Sequence, residues 1–230
     1  MSEIKINNQE LTERLLIQWL GKLKYLSDIR RQKIYNMACD YYSNSSFLFK
    51  INKAIVNNEQ LYEDEINNII YKSENNEHIL IYKNHRMEFT YLQIKEIIAG
   101  MIDLLEKIYP LGTVVELKKQ YLENIVSKDK IENARVVIVN RFIFHNEIKT
   151  YFQYAGVVYP LGMFEKEKVI QFTSSLIEKV IYEGYSDEQE ETYVYLMKKE
   201  LILEKKMHSF GFSTKEEREN YEIKIVMENK

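Results

Sequence analysis

The spacing of apolar positions along this chain changes character near residue 110. Before it, helical periods dominate: Leu11, Leu15, Trp19 and Leu23 recur every four residues with Leu16 and Leu20 beside them, the repeat of an amphipathic helix. A second helical stretch begins at Ser27 or Asp28 and runs through RRQKIYNMACDYY, and the Ser-Asn run at 43–46 ends it. FLFKINKAIV reads equally as helix or strand, whereas Leu61, Ile66, Ile69 and Ile70 in EQLYEDEINNIIYK fall at helical spacing. The polar ENNE at 74–77 predicts a loop. HILIYK and MEFTY alternate apolar with polar residues around a turn at Asn84-His85, which predicts a small hairpin near 78–91. From Leu92 to Ile108 a broad apolar face returns, formed by Ile94, Ile97, Ile98, Met101, Leu104 and Leu105.

Beyond residue 110 the chain turns to strands. TVVEL, ARVVIVNRFIF, TYFQYAGVVY, KVIQF and IEKVIYEGY are rich in β-branched and aromatic residues and predict a five-stranded antiparallel meander. Ser186 with Gln189 has capping-box spacing and opens a long helix over roughly 187–208, which Gly211 is expected to end. Ser213 with Glu216 repeats that spacing in the tail, where the alternation in YEIKIVM leaves helix and strand open. The expectation is an α+β protein in two parts. Residues 1–108 form a mainly helical region with the hairpin, and residues 109–230 form a curved antiparallel sheet or SH3-like barrel followed by the long C-terminal helix.

Both prolines of the chain sit in two copies of YPLG, at 109–112 and 159–162. Proline at the second turn position and glycine at the fourth fit a type I turn in each copy. Their flanks differ, helix then strand for the first and strand then the charged run EKEK for the second, so the copies read as one turn type used twice rather than as a duplicated unit.

Strand arithmetic adds a constraint. In 134–144 one face carries Ala134, Val136, Ile138, Asn140, Phe142 and Phe144, and the other Arg135, Val137, Val139, Arg141 and Ile143. In 151–159, Phe152, Tyr154 and Val158 oppose Tyr151, Val157 and Tyr159. Strands apolar on both faces are covered on both, so the second face meets the protein's own helices, the far side of a barrel, or a partner.

Composition narrows the chemistry. A net charge of −3 lacks the basic footprint of a general nucleic-acid binder, so no nucleic acid is expected as a partner. The single cysteine, Cys39, excludes an internal disulfide and reads as a buried thiol of a reducing compartment. The opening MSEIKINNQE has no basic start followed by an apolar core, and no apolar run nears the roughly 18 residues of a membrane span; the expected location is the cytoplasm, without a membrane partner. His78, His85, His145 and His208 lack further ligands at metal spacing, although His78 and His85 could approach each other across the hairpin. With no phosphate loop, nucleophile elbow or zinc motif, no enzyme, metal or cofactor is expected. Trp19-Leu20-Gly21 matches the W-x-G signature of small secreted helical-hairpin proteins, but no Y-x-x-x-D/E export signal accompanies it, and a core tryptophan is the simpler reading. The 18 tyrosines and 10 phenylalanines suit core and protein interface better than base stacking.

From Ile108 onward, four motifs in order resemble a family of uncharacterised Firmicute domains encoded beside LXG-type toxins of the type VIIb secretion system. They are Pro110-Leu111-Gly112-Thr113-Val114-Val115 with Leu117; Val137-Ile138-Val139-Asn140-Arg141; Tyr154, Gly156 and Tyr159-Pro160 with Gly162; and Ile177, Val180, Tyr182, Gly184 and Tyr185. Asn140 departs from the family's glycine and Gln153 from an acidic residue. The resemblance implies a chaperone or targeting factor that binds the helical targeting region of a secreted toxin. An immunity protein bound to the toxic domain is the alternative, and a small-barrel nucleic-acid binder is a more distant one. A chaperone of that kind needs an apolar surface rimmed by polar groups. The two-sided strands and the corner after them supply one, and Arg141, Tyr151, Tyr159, Tyr182 and Tyr185 are the expected partner contacts, because tyrosine and arginine dominate interface energies.

Overall fold

The computed structural model describes residues 8–40, 42, 46–119, 135–144, 148–163 and 169–228, with side chains except at 222 and 224–228. Ala134, His145, the polar positions 43–45 and the EKEK run lie outside the described residues. The fold is α+β, and the chain divides into two compact units, one of residues 1–106 with 198–204 and one of 107–197 with 205–230.

In the first unit, helices α1 (Asn8–Lys22), α2 (Asp28–Asp40), α3 (Ser46–Val56) and α4 (Tyr91–Leu105) enclose an apolar core. FLFKINKAIV is helical, with Phe47, Leu48, Ile51, Ala54 and Ile55 turned inward. A capping box starts α4: Thr90 Oγ1 accepts from Gln93 N at 3.4 Å and Gln93 Oε1 from Thr90 N at 3.0 Å, satisfying two N–H groups that no helical carbonyl can reach. Trp19 is a core residue, as its spacing predicts. It is 6% exposed, and its indole fills the space that a side chain at Gly100 of α4 would need, since a Cβ there would come within 2.1 Å of the ring.

Residues 61–89 correct the sequence reading. The stretch with helical spacing forms two strands, β1 (Leu61–Asp64) and β2 (Ile69–Glu74), and these join β3 (Glu77–Tyr82) and β4 (His85–Phe89) in a four-stranded antiparallel sheet in sequence order. Local turn chemistry overrides the period. Asp64 accepts from the Asn67 backbone at 3.0 Å and from its side chain at 2.8 Å, Asn68 takes φ +51°, and Leu61 and Ile66 are exposed rather than part of a buried stripe. Asn75-Asn76 and Lys83-Asn84 are two-residue turns with positive φ at both positions, the geometry that matches strand twist. The second turn therefore sits one residue before the expected Asn84-His85. His78 pairs with Phe89 and His85 with Tyr82, which puts the two histidines at opposite ends of the hairpin. His78 is buried, its Nδ1 lies 2.8 Å from the Tyr71 hydroxyl, and burial lowers its pKa.

The second unit holds β5 (Val114–Leu117), β6 (Arg135–Phe144), β7 (Thr150–Val158), β8 (Ile170–Phe172), β9 (Ile177–Tyr182) and β10 (His208–Ser209), with helices α5 (Glu188–Lys198) and α6 (Lys215–Glu228). The first four strands pair in sequence order, but β9 does not follow β8. A 3₁₀ turn at Ser174–Leu176 takes the chain back to the free side of β5, giving the order β10-β7-β6-β5-β9 with β8 also on β7. The sheet is open, because β8 pairs only along Tyr154–Gly156 and the end of β7 at Thr150–Tyr151 is occupied by β10, in parallel. This excludes both the simple meander and the closed barrel.

The expected helix over 187–208 is shorter and irregular. Asp187, rather than Ser186, caps it, accepting from Glu190 N at 3.0 Å. After Lys198 it widens into a π-helical stretch, Lys199–Glu204, and Lys206 at φ +55° ends any helical path. Gly211 lies in a 3₁₀ turn, Phe210–Phe212. The tail is helical and opened by Thr214 with Glu217 (2.7 and 3.2 Å) instead of Ser213 with Glu216. The two YPLG copies also differ: Gly112 N donates across to Ile138 O at 2.9 Å, whereas Gly162 N donates back to Val158 O at 2.9 Å, so one hydrogen-bonded turn is not used twice.

Lys198 closes the C-terminal end of α4 within the first unit. Its buried ammonium donates to the carbonyls of Leu104 at 2.8 Å and Glu106 at 2.7 Å, groups at a helix end that have no intrahelical donor. Burial pushes its pKa down to about 8, against the raising influence of Glu106 and Asp103. Since the unfolded chain holds this proton up to about pH 10.4, unfolding takes up a proton between the two values and stability rises with pH. The half-buried Cys39 thiol and the raised tyrosines of this unit act in the opposite sense, because they ionise earlier in the unfolded chain. The Lys198 contribution is therefore read as a difference between proteins: from pH 7 to 9.5 the stability of the wild type minus that of Lys198→Met, followed by Trp19 fluorescence, is expected to grow by about 2 kcal/mol.

Candidate partner-binding surface

Of the five expected contact residues, two are interior. A β-bulge is the reason for Arg141. Ile138 pairs with Gly156 and Asn140 with Ala155, two steps on β6 against one on β7, and the extra residue reverses the alternation of every side chain that follows. Val139 and Asn140 are both exposed, whereas Arg141 turns inward and is 6% exposed. There its guanidinium makes a bidentate pair with Glu190 of α5, with Nη2 to Oε2 at 2.9 Å and a second short contact from Nη1 to Oε1. It also lies 5.0 Å from the centre of the Tyr193 ring. Phe142 follows at φ +54°, a conformation costly for an aromatic residue, and is packed between Tyr151 at 6.2 Å and Tyr193 at 6.0 Å. Tyr151 is 1% exposed, with its ring 6.2 Å from that of Phe142, which in turn lies against Tyr193 of α5. At this end of the strands the second apolar face is covered by α5.

The other three are on the surface: Tyr159 is 49% exposed, Tyr182 63% and Tyr185 80%. Their placement depends on the first Pro-Leu-Gly turn. Gly112 takes φ +79°, a left-handed conformation that glycine adopts without strain, and its N–H donates to Ile138 O at 2.9 Å. Thr113 is fully buried. Its hydroxyl donates to Pro110 O at 2.7 Å and accepts from Gly184 N at 3.0 Å. The Gly184 backbone comes so close to Leu111 that a Cβ would lie 2.1 Å from the Leu111 carbonyl oxygen. The corner after β9 is thereby held on the turn before β5, with Tyr182 opposite Val114 in the sheet. From Tyr182 the row Val114, Val137, Val157 crosses the sheet on one face; Val114 and Val137 are half-buried and Val157 buried.

Sequence reasoning missed the aliphatic part of this surface. Leu111 is 50% exposed, Leu161 64% and Met163 60%. The signal was present in the motifs, since a leucine at the third position of a tight turn has no core to enter. A Lys107–Glu183 pair at 2.6 Å and an Arg135–Glu116 pair at 3.9 Å add charge on the same unit. The arrangement can take an apolar, polar-rimmed partner segment.

Elsewhere, in the first unit, an open hollow of about 500 Å³ is lined by Gln32, Asn36, Cys39, Asp40, Tyr82 and His85, among others. Its titratable groups serve one another: the Asp40 carboxylate accepts from Lys83 and Tyr82, which lowers its pKa, and burial pushes the Cys39 thiol up. Among the described residues no group of three or more His, Cys, Asp or Glu is placed to hold a metal ion.

The burial of Arg141 changes what its substitution does. Arg141→Ala leaves Glu190 partly buried without its partner and is expected to destabilise the second unit by about 2–4 kcal/mol, read as faster amide exchange throughout β6 and α5. An unchanged exchange pattern would show the pair to be dispensable.

No curated protein and no solved structure matches the chain. Residues 108–193, which run from the approach to the first Pro-Leu-Gly turn into α5, match the family model described as a domain of unknown function, DUF4176.

Proposed function

We propose that this chain is a cytoplasmic chaperone or targeting factor that binds a type VIIb-secreted, LXG-type toxin through the toxin's helical targeting region. The observation that carries the reading is the corner at Tyr182–Tyr185. Large apolar side chains stand exposed there on a frame fixed by Thr113 and by the backbone of Gly184. Exposed tyrosines on rigid backbone lose little entropy on binding and bury much area, which is why such residues recur as interface anchors. The sequence motifs shared with the toxin-associated family point to the same class of partner. Among the described residues no helix is long and apolar enough to cross a membrane.

The test is co-purification of the full chain with the toxin's helical region and, separately, with its toxic domain. Retention of the helical region is expected; retention of the toxic domain alone would instead identify an immunity protein. Tyr182→Ala with Tyr185→Ala should weaken capture by roughly tenfold or more. Because both side chains are mostly exposed, the melting temperature should move by no more than about 2 °C. Undiminished capture would remove this corner from the interface.

A further inference from the structure

Strand β4 is an outer strand of the first unit's sheet, and among the described residues it pairs with β3 alone. The two-residue turn Lys83-Asn84 makes Tyr82 and His85, which close it, a hydrogen-bonded pair. Bonded and non-bonded pairs alternate along an antiparallel ladder, so at Arg86 and Glu88 the backbone N–H and C=O point away from β3. One of these groups fixes the phase independently: the Glu88 carbonyl accepts from Arg30 Nη1 of α2 at 3.1 Å. Helix α2 therefore runs beside the outer edge of β4 in the opposite direction, pinned near both ends. Towards its start the Arg30 guanidinium also lies 5.7 Å from the centre of the Phe89 ring. At its end the Asp40 carboxylate accepts from Tyr82 and Lys83.

Between the two pins is the hollow of about 500 Å³, the size of a site for a small ligand or a short peptide segment. Ile29, Gln32, Lys33 and Asn36 line its helix wall, and Tyr82 and His85 the hairpin wall. The four helix residues follow the spacing of a single α2 stripe. The charge of the slot is one-sided. Asp40 is committed to Lys83, and the Glu88 carboxylate to Arg86 at 2.8 Å, which leaves Lys33 without a carboxylate partner among the described residues. An open strand edge is a template for another strand, and main-chain bonds there give affinity while flanking side chains give specificity. We propose that this slot is a strand-addition site, which takes a short extended segment of a partner protein whose main chain bonds Arg86 N–H and C=O and whose acidic side chain meets Lys33. From His85 to Glu88 the edge advances about 10 Å at strand spacing, and Arg30 already holds the Glu88 carbonyl, so the added segment is short and ends there. A helical segment does not suit the slot, because its own ladder consumes the backbone groups that Arg86 requires. The site lies in the first unit, outside the residues 108–193 that match the family, and does not rest on the toxin reading.

The experiment uses the full chain, isotopically labelled in nitrogen and titrated with the blocked peptide acetyl-Thr-Val-Glu-Val-Thr-amide. Saturable shifts of the Arg86 and Glu88 amides and slower exchange of the Arg86 amide are expected. Binding should weaken by at least about tenfold when Lys replaces Glu in the probe. Absence of shifts at these two amides with peptide on the order of millimolar would overturn the proposal. So would acetylglutamate amide binding as tightly as the peptide, since the slot would then be an anion pocket. Arg86→Pro removes the outward N–H and spares the pairing with β3, because proline is accommodated on an outer strand. It should abolish peptide binding while leaving urea unfolding followed by Trp19 fluorescence unchanged, and undiminished binding would again overturn the proposal. If Arg86→Pro unfolds the unit, Lys33→Glu decides: the preference for Glu over Lys in the probe should reverse, and an unchanged preference rejects the site.

Discussion

The second unit depends on the junction at Thr113. One hydroxyl bonds both the turn that enters β5 and the backbone that leaves β9, and Gly184 allows a contact with Leu111 that any side chain would block. β5 is short and lies between β6 and β9, so its position fixes theirs. With Gly112 bonded to Ile138, three strands are tied at one end by a few residues that expose little polar backbone. The surface consequences follow directly. Leu111 and Tyr185 flank the close Gly184–Leu111 backbone contact and are both exposed, so large side chains stand outside beside a fixed stretch of backbone.

A single extra residue in β6 divides the same sheet into two parts of different burial. Before the bulge, the alternating side chains leave Val137 half-buried and Val139 exposed. After it, Arg141 and Phe142 face inward beneath α5, with the ion pair to Glu190 fixing where the helix rests. The positive φ at Phe142 is sustained by rings on two sides. Strain of that kind persists only where surrounding packing over-determines the conformation. The bulge thus gives the sheet a closed end, where α5 covers it, and an open end, where Tyr159 and Tyr182 are exposed.

The helices contrast in how strongly they are held. Those of the first unit are held by a continuous apolar core, and α4 also has a satisfied end at each terminus, by the Thr90 box and by Lys198. Helix α6 has one good cap, and among its described residues the Glu217 and Tyr221 side chains are shielded.

Local chemistry determined most of what was legible in the sequence. Helical spacing in Leu11–Leu23 and Leu92–Leu105, β-branched runs after residue 110, and glycines where two turns need positive φ all act over a few residues, and the α+β class follows from them. Where the reading failed, a non-local or cross-strand term had prevailed. Asp64 and Asn68 turn a helical period into a hairpin whose second strand pairs with β3 and buries Ile69 and Tyr71. β9 returns to β5 instead of β8 because the Thr113–Gly184 junction holds it there, some 70 residues distant in sequence. The site divided in the same way. Tyrosine and arginine content marked Arg141, Tyr151, Tyr159, Tyr182 and Tyr185 as candidates, but a strand apolar on both faces does not reveal which face its own helix covers. The bulge at Val139–Asn140 and the docking of α5 decided that, burying Arg141 and Tyr151 and leaving the other three exposed, because side-chain direction in a strand is a property of register, and register is set by the neighbouring strand.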